Sequence, residues 1–393
     1  MKPLTHLGSL PISQFLTDYW QRKPLFTPNA FADWQAPLDS SDLAGLTLEE
    51  SVESRLIIET PTKDPLASRW QLEHGPLEEA RFVSLPSSHF TLLVQALDQI
   101  CPEVGELLNG FRFLPNWRLD DIMASAATTG GSVGPHFDYY DVFLLQATGT
   151  RRWQLGQMCD DRSPLLQDCP LKILTEFDQH STFETRPGDL LYIPARMAHW
   201  GVATSDDCTT YSIGFRAPSV HDILLDISQS IAAELPPHLR YQDSPTTLYA
   251  LSQQNQNPGL LSKSIAEEIT QQLHTLITPE KVLDWLGGLL TEATRQTPDV
   301  TTDEIGRIGI LAPHVRAAFT IDGAPFNSEG DKQATLYLNG DKWSVSTDLA
   351  SAICSYTEIH CVQFNAQDQA AIQQWIDHGY LTLQDSADAD ADY

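Results

Sequence analysis

The sequence predicts an α+β chain: a double-stranded β-helix (jelly roll), then a helical domain, then a small mixed module. Three observations carry that expectation. From about 110 to 216 the chain reads as short strand-like runs, at 141–146, 152–155, 189–193 and 210–215, punctuated by Gly, Pro and Asp. Short strands separated by turn signals suggest two stacked sheets, an architecture that includes the cupins. After Pro218 the apolar spacing turns helical. Near the end, Asn339-Gly340 separates the runs 335–338 and 342–345, a strong signal for a two-residue hairpin.

The elements follow in order. Apolar residues at 12, 15, 16, 19 and 20 predict a helix over 12–20, with Pro24 beyond its end. Helices are expected over 221–235, which carries Ile223, Leu224, Ile227, Ile231 and Leu235, and over 261–277 and 280–294. Pro258 precedes the second of these and Pro279 separates it from the third. We read them as a helical domain serving dimerisation. A linker is expected around 296–299. A last helix over 366–378 has Asn365 as candidate N-cap and Gly379 as stop. The expected domains are therefore 1–218 with a cupin core at about 110–216, helical 219–296, winged-helix-like 297–384, and a disordered acidic tail at 385–393, whose run 385–392 has no core-forming residues.

A chain of 393 residues accommodates two or three domains. Hydrophobic residues at 41% and charged residues at 19% place it in the soluble globular class. No apolar run approaches membrane-spanning length. The start Met1-Lys2-Pro3-Leu4-Thr5-His6 lacks the pattern of a signal peptide, so a cytoplasmic location is expected. Six cysteines lie far apart with no C-x-x-C pair, as reduced thiols do. The net charge is −28, from 24 basic and 52 acidic residues. Such a chain is repelled by nucleic acid and anionic membrane, so neither is an expected partner, and it attracts a basic one. Solubility alone would also explain the charge.

His136-Phe137-Asp138 follows the glycine-rich run Gly130-Gly131-Ser132-Val133-Gly134-Pro135. His199 comes 63 positions after His136, just beyond Pro187-Gly188-Asp189-Leu190-Leu191-Tyr192-Ile193-Pro194. A His-x-Asp triplet is weak evidence alone, since a chain with 12 histidines is expected to hold about one by chance. On a strand, His136 and Asp138 would share one face. The second run reads as a tight turn, a buried strand ended by Pro194, and His199 in the loop beyond. Two imidazoles and one carboxylate hold one face of an octahedral ion and leave the other open, the ligand set of non-heme Fe(II) oxygenases. No thiolate accompanies them, against structural zinc. Iron(II) leads, with Mn(II) or Zn(II) as substitutes.

At these residues the chain resembles the JmjC-type 2-oxoglutarate oxygenases, and within them the bacterial ribosomal oxygenases of the YcfD/RoxA type. The resemblance is carried by Asp18-Tyr19-Trp20-Gln21-Arg22-Lys23-Pro24-Leu25, Trp117-Arg118-Leu119-Asp120-Asp121-Ile122-Met123, Gly134 to Phe143, Gly149-Thr150-Arg151-Arg152-Trp153, and Tyr211-Ser212-Ile213-Gly214-Phe215-Arg216-Ala217-Pro218. It is strong over residues 10–220 and looser beyond. Thr150 stands where a third arginine can occur in the family.

The resemblance implies hydroxylation at the β-carbon of an arginine in protein sixteen of the large ribosomal subunit. Fe(II), 2-oxoglutarate and O2 would be used, and succinate and CO2 released, by a homodimer. It implies His136, Asp138 and His199 as metal ligands. Arg151, 15 positions after His136, would hold the 2-oxoglutarate tail carboxylate. A guanidinium suits that task, since it grips a carboxylate in a bidentate fork. Adjacent arginines on a strand face opposite ways, so either Arg151 or Arg152 points inward. Asp121, Met123 and Ser125 are two apart and share a face if 117–126 is a strand. The resemblance assigns Asp121 to the substrate guanidinium, Met123 to its aliphatic stem, Tyr140 to the pocket wall and Ser212 to the lining. Plain core for Met123 and Tyr140, or a turn cap at Asp120 or Asp121, are the structural alternatives. Competing functions are a histidine or asparagine hydroxylase, a methyl-lysine demethylase, a zinc cupin such as a sugar isomerase, and a non-catalytic acidic cupin that binds ribosomal proteins.

Overall fold

A computed structural model describes residues 2–64, 66, 69–216, 218–253, 263–292, 308–321, 333–356 and 358–384. The expected linker at 296–299 and tail at 385–393 lie outside these. The chain divides into two units, Met1–Ala217 with Ile310–Val315, and Pro218–Gly309 with Arg316–Tyr393.

The first stretch runs β1 (His6–Leu7), β2 (Leu10–Pro11), α1 (Ile12–Asp18), β3 (Leu25–Thr27), α2 (Ser40–Leu46), β4 (Ser54–Thr60), β5 (Arg69–His74), α3 (Glu79–Val83), β6 (Phe90–Val94), α4 (Pro102–Gly105) and α5 (Leu107–Gly110). The jelly-roll strands proper follow: β7 (Leu119–Ala127), β8 (Asp141–Thr148), β9 (Arg151–Met158), β10 (Ser181–Thr185), β11 (Leu190–Ile193), β12 (Met197–Ala203) and β13 (Cys208–Phe215). One eight-stranded sheet has the order β3-β11-β8-β13-β7-β6-β4-β5, and a three-stranded sheet the order β10-β9-β12. The strands β3 to β6, which the sequence pattern did not disclose, widen the large sheet beyond the jelly-roll run.

Both faces of the large sheet's centre are buried, and strand alternation divides the labour. Phe143 and Leu145 of β8, Ile122 and Ala124 of β7, and Tyr211 and Ile213 of β13 join a core with Phe15, Phe111 and Phe215. The residues between them turn the other way: Val142 and Leu144, Met123 and Ser125, Thr210 and Ser212 line a cavity that Arg151 and Trp153 of β9 and His199 of β12 also line. The cavity thus lies between the two sheets. The aromatic core is tightly knit, with Phe15 and Phe143 rings 5.0 and 4.9 Å from that of Tyr192.

Along the rest of the chain come α6 (Val220–Glu234), α7 (Pro245–Gln253), α8 (Lys263–Leu276), α9 (Pro279–Thr291), β14 (Ile308–Leu311), β15 (Ala317–Ile321), β16 (Gln333–Leu338), β17 (Asp341–Ser346), α10 (Thr347–Cys354), β18 (Ile359–His360), α11 (Ala366–Asp377) and β19 (Leu381–Gln384). The expected hairpin is present: β16 pairs β17 across Asn339 and Gly340, whose φ values of 46° and 88° suit a type I′ turn. Asn365 caps α11 by accepting from Asp368 N, and Gly379 follows with φ 69°. Pro279 opens α9, and Thr278 caps it. Trp375 of α11 is fully buried edge-on to Trp343, ring centroids 5.8 Å apart.

One buried charge fastens the first unit together. Asp141, fully buried at the start of β8, accepts from the Tyr192 hydroxyl at 2.6 Å, Gln21 Nε2 at 3.2 Å and Arg118 Nη2 at 3.4 Å. It joins β8 and β11 to the segments after α1 and before β7. Removing one partner of such a set leaves the others desolvated and unpaired. Asp141→Ala is therefore expected to cost about 3–5 kcal/mol, measured by urea unfolding. A loss below about 1 kcal/mol would place the load elsewhere.

Candidate active site

His136 and His199 are bound to each other through their backbones: His136 N donates to His199 O at 3.0 Å and His199 N to His136 O at 2.8 Å. Side chains of such a pair stand on one face of the ladder. The two imidazole centroids lie 4.2 Å apart. Each ring's Nδ1 is engaged by a backbone carbonyl, Gly134 O at 2.9 Å for His136 and Met197 O at 3.0 Å for His199, which leaves both Nε2 atoms as metal donors. Asp138 Oδ2 is 3.9 Å from His136 Nε2 and 3.6 Å from His199 Nε2. Among the described residues this is the cluster of His, Cys, Asp and Glu side chains whose donor atoms converge on one point. Burial first, then the neighbouring His136, pull His199 down to about 4, with Asp138 opposing. The imidazole is therefore neutral at neutral pH, as a metal ligand must be.

Two expectations are corrected. His199 is not in a loop. It is the third residue of β12 and is buried, paired with Leu155 across a bulge that follows Met197. Pro194 does end β11, but Arg196 at φ 69° turns the chain at once and the next strand begins. Nor do His136 and Asp138 sit on a regular strand. The segment pairs with β12 only by isolated bridges, Ser132 to Val202 and His136 to His199, rather than as a strand, and β8 starts later at Asp141. A run of turn-forming residues allows no continuous ladder. Further bonds to β12 hold it, Gly130 N to Ala203 O at 2.9 Å and Trp200 Nε1 to Ser132 Oγ at 3.0 Å, and Ser132 Oγ also accepts from Gly134 N at 3.0 Å. Gly134 has φ +80°, and a Cβ there would fall 2.3 Å from Ile173 Cδ1.

Beside the triad the cavity measures about 420 Å³. Arg151 lines it and is 1% exposed, its guanidinium 5.6 Å from the Trp153 ring centroid. Arg152, on the opposite strand face, pairs with Glu184 at 2.6 Å in solvent. Nε and Nη2 of Arg151 are buried without a hydrogen-bond partner among the described residues, as are Trp153 Nε1 and Ser125 Oγ. A buried cation with unsatisfied donors is costly unless an anion completes it. The donor set therefore fits a carboxylate placed between Arg151 and the triad.

Met123, Tyr140 and Ser212 line the same cavity. Asp121 is not among the lining residues. Its Oδ2 accepts from Gln95 Nε2 and Ala96 N, both at 3.0 Å. Burial first, then the charge of Asp138 and then that of Asp121, raise the Tyr140 phenol. Arg55 and Thr210 also line the cavity. Strand alternation extends to Thr210 once Ser212 is chosen. Arg55 and Gln95 carried no such signal, because β4 and β6 were unrecognised.

Residues 106–223 match the model of the JmjC domain. Residues 177–274 match that of the AraC-like ligand-binding domain. The chain is 39% identical over 274 residues to a probable ribosomal oxygenase of Haemophilus influenzae, covering 69% of this chain and 65% of that one. It is 32% identical over 287 residues to the ribosomal protein uL16 3-hydroxylase of Escherichia coli, covering 72% of each. The chain belongs to the JmjC ribosomal oxygenases. Its match spans just under two thirds of the Haemophilus relative's length. Among solved members of the family, Escherichia coli YcfD superposes with a TM-score of 0.81 at 25% identity, covering 97% of this chain and 100% of that one. A structure of YcfD with cobalt and 2-oxoglutarate gives 0.78 at 26% identity, covering 96% and 99%. Among the described residues no helix is long and apolar enough to cross a membrane.

The triad geometry makes a direct prediction. Asp138→Ala is expected to weaken Co(II) binding by more than about a hundredfold, read by calorimetry, since even an outer-shell partner is worth about 10–100-fold. Unchanged binding would remove Asp138 from the ligand set.

Proposed function

We propose that this protein is a 2-oxoglutarate- and Fe(II)-dependent hydroxylase acting at the β-carbon of an arginine in uL16 of the large ribosomal subunit. The observation that carries the reading is the buried Arg151 guanidinium in one cavity with the His136, Asp138 and His199 cluster. Substrate identity is supported by the name of the Escherichia coli relative. The excess of acidic residues favours a basic protein partner.

His136, Asp138 and His199 would hold Fe(II), which supplies oxygen activation with 2-oxoglutarate as the electron source. The chain's own residues position the reactants and exclude water. Arg151 takes the far carboxylate of 2-oxoglutarate in a bidentate fork, and the Ser125 hydroxyl donates beside it. Trp153 flanks the guanidinium and keeps water from it. Met123 packs on the substrate arginine's aliphatic stem, Tyr140 and Ser212 wall the pocket, and Asp121 receives the guanidinium. A cation held at that far end fixes which carbon comes near the metal. The same reading takes 219–296 as a dimerisation domain and 297–384 as a winged-helix-like domain of a cytoplasmic homodimer.

Incubation with Fe(II), 2-oxoglutarate and a uL16 peptide should add one oxygen to the peptide's arginine, read by mass spectrometry. Addition to another residue type, or none, would overturn the substrate assignment. Arg151→Ala should raise the KM for 2-oxoglutarate roughly 10- to 100-fold, the worth of hydrogen bonds to a charged group. An unchanged KM would move the cosubstrate anchor elsewhere.

A further inference from the structure

Asp121 lies outside the cavity lining, on the strand face it shares with Met123 and Ser125, which line the cavity. The order β7-β6-β4 in the large sheet brings Gln95, the residue after β6, between Arg55 of β4 and Asp121 of β7. Gln95 N donates to Glu53 O at 3.0 Å, which fixes its backbone against the start of β4. Arg55 Nη2 donates to Gln95 Oε1 at 3.0 Å, and Gln95 Nε2 donates to Asp121 Oδ2 at 3.0 Å. The direction of this relay is set by chemistry. A guanidinium only donates, so it claims the amide oxygen, and the amide nitrogen is left for the carboxylate. Ala96, a non-glycine residue at φ 52°, presents its N–H to the same Oδ2 at 3.0 Å.

We propose that Gln95 is a positioning residue for substrate specificity: clamped by Arg55, its amide ties down Oδ2 of Asp121 and leaves Oδ1 to receive the substrate's cation. The proposal rests on Asp121 being the cation's acceptor. Its surroundings support the need for such a clamp. Burial, then the charges of Asp120 and Asp98, push Asp121 up to about 6, while Ala96 N and Gln95 pull it down. A carboxylate so placed binds a cation when ionised, above that value, and loses it as pH falls through it. Gln95 therefore both orients Asp121 and keeps it charged.

The test uses the full-length enzyme with Fe(II), 2-oxoglutarate and two uL16 peptides, one with arginine and one with citrulline in its place. In Gln95→Leu the KM for the arginine peptide should rise roughly tenfold, with kcat changed far less. The acid limb of kcat/KM should move to higher pH, because a donor to the carboxylate is gone. The citrulline peptide, which carries no cation, should show neither effect. Equal KM and acid limb in variant and wild type would overturn the proposal, as would an equal loss on both peptides, which marks a merely structural role. If Gln95→Leu does not fold, Arg55→Met frees the amide to turn and should shift KM in the same direction; an unchanged KM there overturns it equally. Wild type inert toward the arginine peptide would sink the functional reading and this proposal with it. An active wild type with an indifferent variant sinks the proposal alone.

Discussion

The pair of backbone hydrogen bonds between His136 and His199 is the constraint on which the site depends. Two candidate metal ligands 63 positions apart are brought side by side by main-chain geometry alone. Everything nearby serves that bridge. The glycine-rich turn is stitched to β12 so that His136 arrives opposite His199, and the bulge after Met197 aims His199 into the cavity. Carbonyl acceptors at Gly134 and Met197 fix both rings with Nε2 toward one point. The metal site is thus largely preorganised, and ligand binding need not order it.

The second constraint is electrostatic. Arg151 is buried by the alternation of β9 and is left with nitrogens unsatisfied by the described residues. The aromatic core on the far side of the large sheet supplies the stability that tolerates this cost. Its Phe15, Phe143 and Tyr192 contacts also lock β8 and β11, the strands that flank the ligand-bearing segment. In the proposed reading, an anion reaching both Arg151 and a metal held by His136, Asp138 and His199 would satisfy nitrogens that the described residues leave unpaired.

Much of this was legible in the residues. The runs 142–145 and 190–193 read as apolar because both faces of β8 and β11 are buried there, whereas 210–215 showed its strand by alternation, with Tyr211, Ile213 and Phe215 on the core face. Asn339-Gly340 and Asn365 announced their turn and cap because each has a local, side-chain-specific role. The triad was readable not from His-x-Asp alone but from its context, the glycine-rich run before His136 and the run 187–194 before His199. What escaped was non-local. Strands β4 to β6 were missed, and with them Arg55 and Gln95, whose roles arise only when the sheet places them beside Asp121. His199 was misplaced in a loop because a proline ends one strand and a two-residue turn opens the next, a reversal that sequence pattern does not resolve.

The proposed site for a metal-bound dicarboxylate depends on Arg151 and the triad acting together. Anaerobic calorimetry on the Mn(II)-loaded protein tests it most directly, comparing 2-oxoglutarate with 2-oxopentanoate, which keeps the metal-binding end and lacks the far carboxylate. One equivalent of 2-oxoglutarate should bind, and 2-oxopentanoate should bind at least about tenfold more weakly. Equal affinities for the two acids would contradict it.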